Sequence, residues 1–236
     1  MNIPPYFPEP IEIPGNASES RYTVRLGFIR RVLALHFLTV GAVVSVVLES
    51  DQIPLNPAQA LVGTLLGLGA MSVIRQLAIN RSKLDAILSW LILPPFLVCL
   101  GRTLAWGAES GAMLEVPLAG LIGWFSYAVL CGRDFSFIGQ FGVSLIAGLG
   151  FAGWTVVQVG QPLGTTTFAF LGTGALVFYL TYDLAMVTKR RRPDEVWPAV
   201  CDLYRDLLNG ITYSGRVLQH WRKYPLGTLV PKDGSS

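Results

Sequence analysis

The stretch that decides the fold is LALHFLTVGAVVSVVL, residues 33–48, which carries no charged residue. Polar and apolar residues do not alternate along it, as they would in a strand of a membrane barrel. With the apolar residues just before it, the stretch reaches the length of about 20 residues that a helix needs to cross the hydrocarbon core of a bilayer. It therefore predicts a transmembrane helix over residues 28–48.

Six more segments of the chain have a similar length and composition. Of the 236 residues, 52% are hydrophobic and 14% are charged, whereas a soluble domain carries about 25% charged residues. We predict an all-α integral membrane protein, a bundle of seven transmembrane helices over residues 21–220. The predicted spans are residues 28–48, 58–79, 84–106, 113–132, 136–159, 165–187 and 196–218.

The two ends of the chain differ from the spans. The first fourteen residues contain five prolines and no apolar core, so we expect no secretory signal there and a mobile, Pro-rich tail over residues 1–20. Residues 221–236 form the predicted C-terminal tail.

The orientation follows from the basic residues, which accumulate in cytoplasmic loops. They place the N-terminus and the even-numbered loops in the cytoplasm and the C-terminus outside, and we expect a bacterial inner membrane rather than an organelle membrane. Three basic residues of the C-terminal tail oppose this topology, so either the rule is overridden late in the chain or the seventh segment does not cross. The residues that set the orientation are Arg21, Arg25, Arg30, Arg31, Arg81, Lys83, Arg133 and Lys189 to Arg192; those that oppose it are Arg222, Lys223 and Lys232.

The seventh segment contains CDLYRDLLN, residues 201–209, which is unusually polar for a membrane helix. Positions three or four apart share one face of a helix. Asp202, Asp206, Asn209 and Tyr213 follow this spacing and predict one polar stripe, flanked by Arg205.

A further acid, Asp183, lies inside the apolar run of the sixth span. A carboxylate at membrane depth costs a few kcal/mol and usually faces a bundle interior or a water-filled path. The turn between the last two spans can bring the two acid-bearing faces together. At 1.5 Å per residue, Asp183 lies about 6 Å deep, Asp202 about 9 Å and Asp206 about 15 Å. Depth alone therefore matches Asp183 to Asp202 slightly better than to Asp206.

Four stretches resemble the transmembrane Bax inhibitor motif family, the Bax inhibitor-like membrane proteins. They are RLGFIRRVLALHFLTVGAVVSVV (residues 25–47), GRDFSFIGQF (132–141), FYLTYDLAMV (178–187) and LYRDLLN (203–209). Their order and spacing agree with the family's seven-span layout, and the resemblance covers roughly residues 21 to 218.

The resemblance implies a seven-helix bundle whose last helix is central, and a pH-sensitive calcium leak channel. By motif match, Asp183 and Asp206 would share one proton and close the pore, with a basic latch from the second span for which Arg75 and Arg81 are the candidates. Two neighbouring carboxyl groups titrate as a unit, and calcium prefers oxygen ligands, so the same two aspartates are the candidate calcium ligands.

One residue departs from the family's pattern. Arg205 stands before Asp206, where the family usually has an apolar residue. A fixed cation there would favour the ionised carboxylate and repel calcium. Asp202, three residues before Arg205, could neutralise it.

Two other classes of protein remain open. The polar stripe could join the helices of a non-conducting membrane scaffold that regulates an unknown protein partner. An intramembrane aspartyl protease could use two aspartates on adjacent spans, although no proteolytic motif extends the pair. We predict no enzyme, no bound cofactor and no nucleic-acid partner, with membrane lipid and calcium ion as the expected contacts.

Overall fold

The computed structural model describes residues 13–78, 82–130 and 137–212, and this part of the chain is helical with no strand. Seven α-helices lie in the described residues, which confirms the predicted all-helical fold and helix number. They are α1 (Tyr22–Leu48), α2 (Pro57–Ala78), α3 (Ser82–Glu109), α4 (Glu115–Leu130), α5 (Phe137–Trp154), α6 (Leu163–Arg190) and α7 (Val196–Thr212). The α5 helix continues into a π-helical turn, Thr155–Val159.

Length and composition suit five of these helices to a membrane. Among the described residues, α1, α2, α3, α6 and the segment Gly139–Val159 are long and apolar enough to cross a bilayer. The α4 and α7 helices have 16 and 17 described residues and adjoin residues that are not described. Many large apolar side chains cover the outer surface, among them Leu38, Leu66, Leu130, Ile146, Phe168 and Leu171. The chain is therefore a multi-pass integral membrane protein.

Neighbouring helices pair in sequence order. The α2 helix packs along α3, and α4 packs along α5; α1 also contacts α3, and α6 contacts both α4 and α5. The α7 helix contacts α1, α2, α3 and α6. Residues 198–204 of α7 are all buried, so no side of this stretch faces the surroundings.

Part of the predicted mobile tail is packed. Residues 17–19 form one turn of 3-10 helix, and Ala17 is fully buried. The backbone N–H of Ala17 donates to the carbonyl oxygen of Arg191 at 2.8 Å. The end of α6 thus offers hydrogen-bond acceptors to this part of the predicted tail. Residues 1–12 and the C-terminal tail lie outside the described residues.

The α1 and α3 helices approach closely at Gly101. A Cβ atom added there would lie 2.5 Å from Val46 Cγ1 and 3.0 Å from the carbonyl oxygen of Val43. Real Cβ atoms do not come so near, so the two helices would have to separate. Small residues at helix contacts in membranes permit this kind of close packing.

We predict that Gly101→Ala lowers the stability of the bundle by about 1–3 kcal/mol, the usual cost of overpacking. Gly41→Ala on α1 is the matched control, since a Cβ atom there meets nothing within 4 Å. Thermal unfolding of both variants in detergent measures the difference. Equal melting temperatures would show that α1 and α3 do not approach as described.

Candidate functional site

The last two helices bring two buried carboxyl groups together. Asp183 lies on α6, 1% exposed, and Asp206 lies on α7, fully buried. Arg190 follows Asp183 by seven residues, so both side chains lie on one face of α6. Asp202 and Asp206 share a face of α7 in the same way, four residues apart.

Asp183 and Asp206 share one guanidinium group. Nη1 of Arg190 lies 2.7 Å from Oδ2 of Asp206 and 3.9 Å from Oδ1 of Asp183, so the two carboxyl groups meet at one guanidinium nitrogen. Within the described part of the chain, Oδ2 of Asp183 is buried and has no hydrogen-bond partner. Asp183 is therefore the less compensated member of the pair. The Tyr179 hydroxyl donates to the backbone carbonyl of Asp206 and fixes that turn of α7 to α6.

Arg205 contacts two aspartates of its own helix. Its Nη2 lies 2.7 Å from Oδ1 of Asp206, and its Nη1 lies 2.9 Å from Oδ1 of Asp202. The structure thus places Arg205 both beside the candidate gating acid and in the ion pair with Asp202. The positive charge of Arg205 is therefore shared between Asp202 and Asp206.

The second arginine of the α6–α7 turn is almost wholly buried. Arg191 is 1% exposed, and it donates to both oxygens of Asp202, from Nε at 2.5 Å and from Nη2 at 2.9 Å. Its Nη1 also donates to Asp85, a residue of α3 that is 2% exposed. Ion pairs of this geometry compensate charges that burial alone would disfavour.

These contacts form one continuous series, in which each arginine joins two aspartates. We call it the acid–arginine chain. Among the described residues it contains four carboxyl groups and three guanidinium groups, and it links α3, α6 and α7. Its members in order are Asp85, Arg191, Asp202, Arg205, Asp206, Arg190 and Asp183.

One of the two candidates for the basic latch, Arg75, lies among the described residues. Its Nη2 donates to the backbone carbonyl of Arg190 at 3.1 Å. The other candidates, Arg81, Tyr213 and the side chain of Asn209, lie outside the described residues.

Three members of the acid–arginine chain were not predicted from the sequence. Arg190 and Arg191 belong to the basic KRRR run, which indicated only the orientation of the chain. Asp85 lay at the edge of the third predicted span, and an acid there was a signal that could have been used. An acid at a span edge needs a partner when it is buried, and a basic run at the end of another span can supply one.

The metal-binding prediction has less support in this arrangement. No set of three or more His, Cys, Asp or Glu side chains in the described residues is placed to hold one metal ion. Asp183 and Asp206 alone would supply carboxylate oxygens, and two arginines already occupy Asp206.

The fold and the site together define a multi-pass helical membrane protein with a buried acid–arginine chain. Protein LIFEGUARD 1 of Arabidopsis thaliana is 33% identical to this chain over 106 residues, 43% of each protein. LIFEGUARD 1 is a Bax inhibitor-like family member, and the similarity supports the resemblance seen in the motifs. The chain thus spans less than half of the length of this relative. No protein-family model and no solved structure matches the chain.

We predict that Arg191→Gln destabilises the protein strongly, by about 3–5 kcal/mol, because it leaves buried aspartates without their cation. Arg192→Gln is the matched control, since the neighbouring Arg192 is exposed. Thermal unfolding in detergent gives the comparison. If the two variants melt together, Arg191 is not the buried ion-pair partner of Asp85 and Asp202. Addition of Asp85→Asn to Arg191→Gln should recover part of the loss, since one unpaired acid is removed.

Proposed function

We propose that the protein is a pH-sensitive calcium leak channel of the Bax inhibitor-like type, with α7 as its central helix. The gate is the pair Asp183 and Asp206. The observation that carries this proposal is that the two carboxyl groups are buried on different helices and share the guanidinium of Arg190. The similarity to LIFEGUARD 1 supports the class of protein.

The proton sensitivity rests on the charge balance of the pair. Two carboxylates in direct range of each other do not ionise independently, and the pair titrates as a unit. Asp183 has the longest contact in the acid–arginine chain and a buried oxygen without a hydrogen bond in the described residues. A single shared proton on Asp183 gives that oxygen a partner and holds α6 against α7.

In this proposal the described arrangement is the closed state of the gate. Arg190 and Arg205 both lie on Asp206, and two fixed cations repel a divalent ion. Calcium can meet the carboxylate oxygens only after these guanidinium groups withdraw. The loss of the shared proton makes Asp183 a second carboxylate, which repels Asp206 and competes with it for the guanidinium of Arg190. The aspartate pair then lines the calcium path.

The gate lies at the cytoplasmic end of the bundle in this proposal. The turn between α6 and α7 carries the KRRR run, which favours the cytoplasmic side. The N-terminus is on the same side, and the loops between α1 and α2, α3 and α4, and α5 and α6 are external.

We predict that Asp183→Asn and Asp206→Asn each remove most of the pH dependence of calcium flux. A shared proton needs two carboxyl groups, so the loss of either one abolishes the coupled titration. Asp202→Asn is the matched control with the smaller effect, because Arg191 and Arg205 already compensate Asp202. Flux through the purified protein in liposomes from about pH 6 to about pH 8, a window that brackets a perturbed carboxyl group, measures all three.

Two results would contradict this assignment. If Asp202→Asn alone removes the pH response, the gating pair has been assigned to the wrong aspartate of α7. If none of the three variants changes the response, the aspartates only join the helices, as in a non-conducting scaffold.

We also predict that Arg205→Leu moves the pH midpoint of flux upward. Removal of a cation from Asp206 favours the protonated form of the acid. Arg102→Leu is the control, since Arg102 pairs with Glu109 near the other end of α3. An unchanged or lower midpoint would show that the charge of Arg205 acts on Asp202 and not on the gate.

A further inference from the structure

The last carbonyl groups of α6 find hydrogen-bond donors outside the helix. A helix leaves its final carbonyl oxygens without partners of its own. The carbonyl of Arg191, just past the end of α6, accepts from the N–H of Ala17 at 2.8 Å, and that of Lys189 accepts from the N–H of Ile13 at 3.3 Å. The carbonyl between them, of Arg190, accepts from Arg75. Two of the three donors therefore come from the segment before α1.

That segment, residues 13–20, is held in shape by the buried side chain of Asn16. Its Oδ1 accepts from the N–H of Glu19 at 3.2 Å and from the Ser18 hydroxyl at 2.6 Å. Its Nδ2 donates to the Ile13 carbonyl at 2.9 Å and to Oε1 of Glu19 at 3.0 Å. We call residues 13–20 the N-terminal strap.

The strap binds the backbone of residues whose side chains pair with the acids. The backbone carbonyl of Arg191 accepts from the N–H of Ala17, and the Arg191 guanidinium forms ion pairs with Asp85 and Asp202. Arg190 is the next residue along, and it holds Asp206. A displacement of this backbone would move both guanidinium groups. A further contact fixes the turn to α1, since Arg31 Nη2 donates to the Pro193 carbonyl at 3.0 Å.

We propose that the N-terminal strap is a positioning element of the gate, which holds the end of α6 so that Arg190 stays on Asp206 and the leak stays low. This inference rests on the proposed calcium leak. Release of the strap frees the last carbonyls of α6, and the α6–α7 turn can then carry its arginines away from the acids. The strap acts through backbone contacts and leaves every residue of the acid–arginine chain intact.

The test removes the side chain that shapes the strap. Asn16→Ala takes away its internal hydrogen bonds, and Asn56→Ala is the matched control at the start of α2. Asn56 has a similar capping role, since its Oδ1 accepts from the N–H of Gln59 at 2.8 Å. We expect Asn16→Ala to raise calcium flux in liposomes at fixed pH by about fivefold, the effect of one lost cap on a two-state equilibrium. Asn56→Ala should leave the flux unchanged.

A second variant removes the hydrogen bond between the strap and α6. Ala17→Pro lacks the N–H that donates to the Arg191 carbonyl, and proline is compatible with the first position of a helix. Arg21→Pro is its control, because φ is −54° at Arg21 and Ser20 before it is extended, a backbone that accommodates proline. Ala17→Pro should raise the flux as Asn16→Ala does, and Arg21→Pro should not.

Amide hydrogen exchange separates this inference from the proposed function. Strap release should speed exchange in residues 13–20 and also in the last turn of α6 and in residues 196–206 of α7. If exchange rises only in the strap, or if the flux of both strap variants equals that of their controls, the strap does not position the gate. A wild-type protein that carries no calcium overturns the proposed leak, while the exchange pattern still decides whether the strap holds the α6–α7 turn.

Discussion

The buried guanidinium of Arg191 is the contact on which the rest of the site depends. A charge in the interior of a membrane protein is tolerated only when a partner compensates it. Arg191 meets this requirement for Asp85 on α3 and Asp202 on α7 at once, from the turn that follows α6. One side chain thereby fixes α3 to the last two helices, which are distant from it in sequence. Removal of Arg191 takes away the one ion pair that Asp85 makes among the described residues.

The acid–arginine chain is compensated unequally along its length. At the α3 end, Arg191 makes three hydrogen bonds to two carboxylates. At the α6 end, Asp183 has one contact at 3.9 Å and an oxygen with no hydrogen bond among the described residues. Buried polar groups in folded proteins usually have hydrogen-bond partners. The unequal compensation is the basis on which we propose a proton-sensitive role for Asp183.

The sequence predicted the helices well, because the length of an apolar run reports directly on membrane span. Helix periodicity also predicts that Asp202 and Asp206 lie on one face of α7. The partners of the acids were not predictable in the same way, since Arg190 and Arg191 reach them only after α6 and α7 have packed. Depth alone matched Asp183 to Asp202, because it does not consider the residues of the turn. Arg191 of the turn pairs with Asp202, and Arg190 lies beside both Asp206 and Asp183.

The backbone contacts of the N-terminal segment were also not predictable from the sequence. Its prolines favoured a mobile tail, and local composition contains no information about distant hydrogen-bond acceptors. Ile13 and Ala17 are ordered by the carbonyls of Lys189 and Arg191, which lie more than 170 positions away in the chain. The unpaired carbonyl groups at the end of α6 thus determine the structure of the segment that precedes α1.

Calcium flux through the purified wild-type protein in liposomes tests the central claim most directly. We expect flux above that of protein-free liposomes, with a single pH transition between about pH 6 and about pH 8 that belongs to the aspartate pair as a unit. Flux that does not change across this range would contradict the proton-shared gate. No flux above the protein-free level at any pH would contradict the channel itself and favour a scaffold.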